Sequence, residues 1–278
     1  IQECFEGTLL SLFNYNGKWF LSTRQCIDSK NSKWTSDKSH YEMFLDCIDI
    51  SFNEFTSYLD QNLNYFFVIV HYENKNIVDY SEYFEKDNYK EVIHVMTRER
   101  DTNKEIDLND ETQWKVKPNF RVPKKLKSDE NGDVVFEHID NDSTLTLNQP
   151  EMFENFLKLD ELNKQQLLTL PVKSEGIIVR NYDSKNNKLV IMKFQTNSYQ
   201  FMSLLKPNTN NVYMSFIELY QQDLLKKHIE YFPGNSKLVV DDLNETYDTI
   251  GVVDASFKVL TSELYEIFKH LYDLKDCS

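Results

Sequence analysis

Glu175 and Lys193 are the two residues of this sequence that stand out most from their chemical surroundings. Residues 173–180 read as a strand that passes through a Glu-Gly corner, residues 181–187 as a turn, and residues 188–196 as a returning strand. Ile177, Val179, Val190 and Met192 repeat every second residue, the period of a half-buried hairpin. On that apolar ground Glu175 opens the first strand and Lys193 interrupts the second. A carboxylate and an ammonium at facing ends of a hairpin can hold a ligand between them. They can equally pair with each other at a sheet edge, and both readings stand at this point.

The elements around the hairpin follow from pattern. Residues 5–13 and 18–24 read as two strands joined at Asn16-Gly17, a favoured hairpin pair. Residues 28–39 read as a polar loop anchored by Trp34, and residues 41–47 and 53–59 as two short helices. Residues 63–71 form the most strand-like run, 74–76 a turn, and Ile77-Val78 the start of another strand. Residues 89–97 read as a strand and 98–110 as a charged, solvated stretch. Residues 149–168 read as a helix stopped before Pro171. Beyond Thr196 the pattern turns helical. Residues 212–232 carry one long amphipathic helix that ends at Pro233-Gly234. Residues 257–274 carry a second helix, with a stripe of Phe257, Leu260, Leu264, Ile267, Phe268 and Leu271. The change of pattern divides the chain into 1–198 and a helical region 199–278.

Composition narrows the classes. The 278 residues are 40% hydrophobic, with 19 Phe and 16 Tyr, so a sizeable core can form. Only six Gly and six Pro argue against disordered or collagen-like chains. The formal net charge of -14 opposes a phosphate-gripping surface and suits solubility or a basic partner. Cys4, Cys26, Cys47 and Cys277 show no paired or zinc-like spacing, and are expected to be free thiols in a reducing compartment. No run is long and apolar enough to span a membrane, no signal peptide is expected, and no membrane partner is expected.

The order of segments carries a resemblance. Cys4-Phe5-Glu6-Gly7-Thr8 comes first, then a hairpin ending in Ser22-Thr23-Arg24. Residues 65–71 follow, then Ser174-Glu175-Gly176-Ile177-Ile178-Val179-Arg180. Met192-Lys193-Phe194-Gln195-Thr196 comes last, with Tyr199 close behind. This set, over residues 1 to about 232, resembles the covalent nucleotidyltransferases, and within them the phage-type ATP-dependent RNA ligases. DNA ligases and mRNA capping guanylyltransferases are relatives of that family. The resemblance implies an α+β nucleotidyltransferase fold, ATP-grasp-like, with antiparallel sheets around a cleft and a helical C-terminal region. It also implies ATP and magnesium as cofactors, RNA or a nucleotide as partner, and a cytoplasmic or viral setting, since similar chains occur in large DNA viruses.

In that family a lysine of a Lys-x-Asp-Gly motif attacks the α-phosphate of ATP. Glu6-Gly7 takes the Asp-Gly place, which puts Cys4 at the nucleophile position. Arg24 matches the second motif and Glu175 the fourth. Lys193 matches one lysine of the fifth, where Gln195 replaces the other. The third-motif acid falls near Val68, which is apolar. The resemblance therefore implies nucleotide-binding positions at Glu6, Arg24, Glu175 and Lys193, without the amine that would carry the nucleotide. The expectation is a ligase-like protein that has lost covalent adenylylation and serves as a binding or structural component, with protein partners in a larger assembly. The alternative is an active RNA ligase or capping-type nucleotidyltransferase using an unusual nucleophile.

Each motif residue also has a plainer reading. Glu6 can be a strand-end acid beside a turn, and Arg24 a partner for Glu6 or Asp28. Cys4 and Cys26 can be small buried residues. His71 ends a buried strand and reads as a satisfied core histidine. Lys124, Lys125 and Lys127 read as a solvated loop rather than a phosphate site.

Overall fold

The computed structural model describes residues 1–106 apart from 35 and 75, and residues 145–147, 168, 170–183, 188–206, 211–232 and 249–275. Residues 149–167 of the expected helix at 149–168, the basic cluster at 124–127 and Cys277 lie outside the described residues. The chain divides into two compact units, Ile1–Leu204 and Leu205–Ser278.

The first unit is α+β with antiparallel sheets. A five-stranded sheet has the order β3-β2-β4-β5-β6. Its strands are β2 (Thr8–Tyr15), β3 (Lys18–Thr23), β4 (Leu63–His71), β5 (Lys90–Glu99) and β6 (Glu105–Ile106). A second sheet has the order β1-β8-β9-β7. It is built from β1 (Gln2–Cys4), β7 (Leu145–Leu147), β8 (Gly176–Asp183) and β9 (Lys188–Thr196). Asn16 and Gly17 both have positive φ, 51° and 77°, and close the β2–β3 hairpin. That is the backbone a two-residue turn needs to match strand twist, and Asn-Gly adopts it at low cost.

β4 is the central strand and is buried on both faces. Tyr65, Phe67 and Ile69 join Leu10, Leu12, Phe44 and Phe55 in one core cluster. Val68 and Val70, the intervening residues, join Tyr80, Tyr89, Ile93, Val172 and Tyr199 in another. A strand with two buried faces needs a continuous apolar run rather than alternation, and residues 65–70 supply one. Helix α1 (His40–Ile48) packs Met43, Phe44 and Cys47 into the first cluster. Its start is fixed by a capping box in which Ser39 and Glu42 bond each other's backbone N–H. The short α2 (Phe52–Ser57) adds Phe55, and α3 (Ser81–Phe84) adds Phe84 to the second cluster. Helix α4 (Asn197–Leu205) follows β9 directly.

Several elements differ from the sequence expectations. The first strand does not run through residues 5–13. The chain leaves one sheet at Cys4 and enters the other at Thr8, because Gly7 passes against the Ile69 carbonyl, where a Cβ would come within 2.2 Å. Ile77 and Val78 start no strand, since their N–H groups donate to Glu6 instead of to a ladder. Trp34 is 39% exposed and belongs to neither core cluster. The β8–β9 hairpin is less buried than its period suggests: Val190, Ile191 and Met192 are all exposed, so both faces of β9 meet solvent there.

In the second unit the expected single helix at 212–232 is two, α5 (Val212–Gln221) and α6 (Leu225–Tyr231). Asp223 adopts φ 58°, and Leu224 N–H donates back to the Leu219 carbonyl, a left-handed helix stop. The final helix, α7, spans Thr249–Lys275. Phe257 on α7 stacks on Tyr220 of α5, with ring centroids 4.7 Å apart. Among the described residues no helix is long and apolar enough to cross a membrane.

Candidate functional site

Three strands of the second sheet converge on one carboxylate. Cys4 of β1 pairs with Gly176 of β8, and Gly176 pairs with Gln195 of β9. Gly176 is the middle residue of that row and has no side chain. Its φ of +144° and the Phe194 carbonyl, 2.0 Å from where a Cβ would sit, admit only glycine. The carboxylate of Glu175, the residue before it, lies between the two flanking side chains.

Both carboxylate oxygens of Glu175 are engaged. The Cys4 thiol donates to Oε2 at 3.3 Å. Gln195 Nε2 donates to Oε1 at 2.9 Å, and the Lys193 ammonium forms an ion pair with the same oxygen. Lys193 and Gln195 are two residues apart on β9 and share a face, so one strand delivers both donors. Glu175 is 3% exposed and Cys4 6%. Burial pushes the Cys4 thiol far above its usual pKa, and the Glu175 charge beside it adds to the shift. The sulfur is therefore a protonated donor at neutral pH. Burial works against the Lys193 ammonium, but the Glu175 carboxylate beside it favours the charge, and the balance is upward.

Glu6 is held just as fully. Its Oε2 accepts from Ile77 N at 2.7 Å and Val78 N at 2.8 Å, and its Oε1 accepts from the Tyr199 hydroxyl at 3.3 Å. Its own N–H donates to the Tyr80 hydroxyl at 2.6 Å. Tyr199 is oriented by Thr196, whose Oγ1 accepts from Tyr199 N at 3.1 Å at the start of α4. Burial raises the pKa of both phenols, and the Glu6 and Glu175 charges raise it further, so both stay protonated, Tyr199 as a donor to Glu6 and Tyr80 as an acceptor from its N–H.

The structure thus brings Cys4, Glu175 and Lys193 into one contact set, with Glu6 two residues beyond Cys4. Arg24 is not among them. It lies exposed just past β3 and makes no hydrogen bond or ion pair with another described residue. Val68, at the third-motif position, is buried core. Sequence reasoning missed Tyr80 and the Ile77 and Val78 amides. Tyr80 sits in an aperiodic segment and the amides carry no side-chain signature, so no sequence signal marks them.

ATP and a magnesium ion, the groups the family resemblance implies, do not suit this donor set. The oxygens that would hold a ribose or a metal already accept from backbone amides, a thiol, an amide side chain and an ammonium. Among the described residues no group of three or more His, Cys, Asp or Glu side chains is placed to hold a metal.

No family profile matches the chain. It is 36% identical over 78 residues to an immediate-early protein ICP-46 homolog of invertebrate iridescent virus 3, which is 27% of this chain and 17% of that relative. Among solved structures it is similar to a protein designated an ATP-dependent DNA ligase from Aquifex aeolicus, at 11% identity and a TM-score of 0.39. That match covers 84% of this chain and 61% of the other. A TM-score of 0.39 is too low to equate the two folds.

Proposed function

We propose that this chain is a ligase-like nucleotidyltransferase-fold protein that has lost covalent nucleotide transfer and serves as a binding or structural component of a larger assembly. One observation carries the reading: the two acids at the family's nucleotide-holding positions, Glu6 and Glu175, are satisfied from within the protein. The residue at the nucleophile position is a buried, protonated thiol that donates to Glu175 instead of attacking phosphorus. The net charge of -14 favours a basic or neutral partner surface over a nucleic-acid backbone. The partial similarity to an iridescent-virus protein supports a viral setting.

Incubation with α-labelled ATP or GTP and a divalent metal tests this. The expected result is no denaturation-stable labelled adduct and no nucleotide-dependent rise in melting temperature. A stable adduct that disappears in Cys4→Ala defeats the proposal and makes the chain an enzyme with a thiol nucleophile.

A further inference from the structure

The long terminal helix carries a feature that the site does not explain. From residue 258 to residue 272 every residue of α7 is solvent-exposed. Eight of these are large and apolar: Val259, Leu260, Leu264, Tyr265, Ile267, Phe268, Leu271 and Tyr272, exposed by 51 to 63%. A contiguous apolar strip of this length on one helix is unusual for a surface facing only water.

The spacing is specific. Leu260, Leu264, Ile267 and Leu271 recur at intervals of four, three and four, the seam of a coiled coil. With Leu264 and Leu271 at the a positions, Leu260 and Ile267 are at d. Glu263 and His270 then flank the seam at g, and Thr261 and Phe268 flank it at e. We propose that α7 is a self-association surface that pairs antiparallel with α7 of a second copy of this chain, through Leu260, Leu264, Ile267 and Leu271, with Glu263 of each copy facing His270 of the other.

Both flanks favour the antiparallel sense. Antiparallel pairing sets g against g and e against e. With Leu264 layered on Ile267 of the other copy, and Leu260 on Leu271, Glu263 meets His270 twice per dimer. Phe268 meets Thr261, a small residue that leaves room for the ring. Parallel pairing would instead set Glu263 against Phe268, a carboxylate against an aromatic ring with no partner for its charge. The segment is also suited to meeting itself. Residues 255–272 hold two lysines, Lys258 and Lys269, and two glutamates, Glu263 and Glu266. They are neutral overall in a chain of charge -14, so this segment adds no net charge repulsion between two copies. The same balance gives no basic face for an anionic membrane.

Sedimentation equilibrium of the full chain tests the proposal, with a monomer–dimer equilibrium expected. Ile267→Lys is expected to leave a monomer whose β-rich unit melts unchanged. Glu263→Lys alone is expected to weaken the dimer about tenfold, and Glu263→Lys with His270→Glu to restore it. A wild-type monomer up to ~100 μM overturns the proposal, as does an assembly other than a dimer. Failure of the double swap to restore pairing overturns the antiparallel geometry. Co-sedimentation of a monomer with phosphatidylserine vesicles, lost in Ile267→Lys, makes α7 a lipid-facing helix and also overturns it.

Discussion

The Cys4 thiol and the Glu175 carboxylate, 171 residues apart in the chain, meet at 3.3 Å with the sulfur as donor. A buried carboxylate would activate a neighbouring thiol as a base only if it could take the proton. Here burial and the adjacent negative charge both oppose a thiolate. The pair is a hydrogen bond at rest.

Thiol labelling checks this directly. Cys26 is partly exposed at the end of the β3 hairpin, whereas Cys4 and Cys47 are buried. Among the described cysteines, iodoacetamide at mildly alkaline pH is expected to modify Cys26 ahead of Cys4 and Cys47, and to reach those two only on unfolding. Labelling of Cys4 in the native protein as fast as Cys26 would contradict the assignment.

The Glu175–Lys193 pair makes a stability prediction. Lys193→Met leaves a buried carboxylate with only Gln195 and Cys4. Loss of a fully buried partner costs about 3–5 kcal/mol, but the Lys193 side chain is 42% exposed, so screening reduces the expected loss to about 1–2 kcal/mol. Glu175→Gln with Lys193→Met should cost less than the sum of the single changes. Urea unfolding of the four proteins measures the coupling, and strict additivity would show that the two charges act independently.

Glu6→Ala should destabilise the fold more than a surface change would. It strips the acceptor from the Ile77 and Val78 amides at once. Each donor left without a partner costs about 1–3 kcal/mol where water cannot reach it. Glu6→Gln keeps an acceptor oxygen and is expected to recover roughly half the loss. Equal melting temperatures for the two variants would mean that the carboxylate does not hold this turn.

Gly7→Ala and Gly176→Ala are each expected to cost about 3 kcal/mol or more, because the new methyl would meet a backbone carbonyl at 2.2 and 2.0 Å respectively. Backbone cannot yield as a side chain can. Near-native stability in either variant would show that the strand crossing or the Glu-Gly corner is looser than described.

Acid should weaken the fold in two stages. Burial holds His40, His71 and His228 below the ordinary histidine pKa. The unfolded chain therefore takes up protons, from about pH 6.5 downward, that the folded chain refuses, so this stability is full above that pH and declines below it. His71 accepts from Glu73 N at Nδ1, so its Nε2 carries the proton and donates to Asp46 at 3.2 Å. The hydrogen bond from Lys90, with those from His71 and Lys38, holds Asp46 well below the carboxylate range. That stability is present above the ordinary carboxylate pKa and is lost as pH falls through and below it. Unfolding free energies from pH 8 to 3, compared with those of His71→Gln, separate the first stage from the general relief of negative charge. Parallel curves for the two proteins would remove His71 from the account.

The sequence by itself determined the elements whose cause is local. Asn16-Gly17 fixed the β2–β3 turn, Ser39 and Glu42 the start of α1, and the apolar run of residues 65–70 a strand with two buried faces. The seam of α7 was equally legible as a stripe, since helical periodicity needs no partner to be seen. Glu175 and Lys193 were visible as charges on an apolar hairpin, and their spacing left open whether they hold a ligand or each other. Only the tertiary structure shows that the two are paired with each other. Cys4 comes from another strand, Gln195 takes its role from register, and the Ile77 and Val78 amides that engage Glu6 have no side-chain signature. Which groups share one carboxylate is set by strand order and by glycines that let backbone pass close. Those are relations between distant segments, and a pattern read along the chain does not contain them.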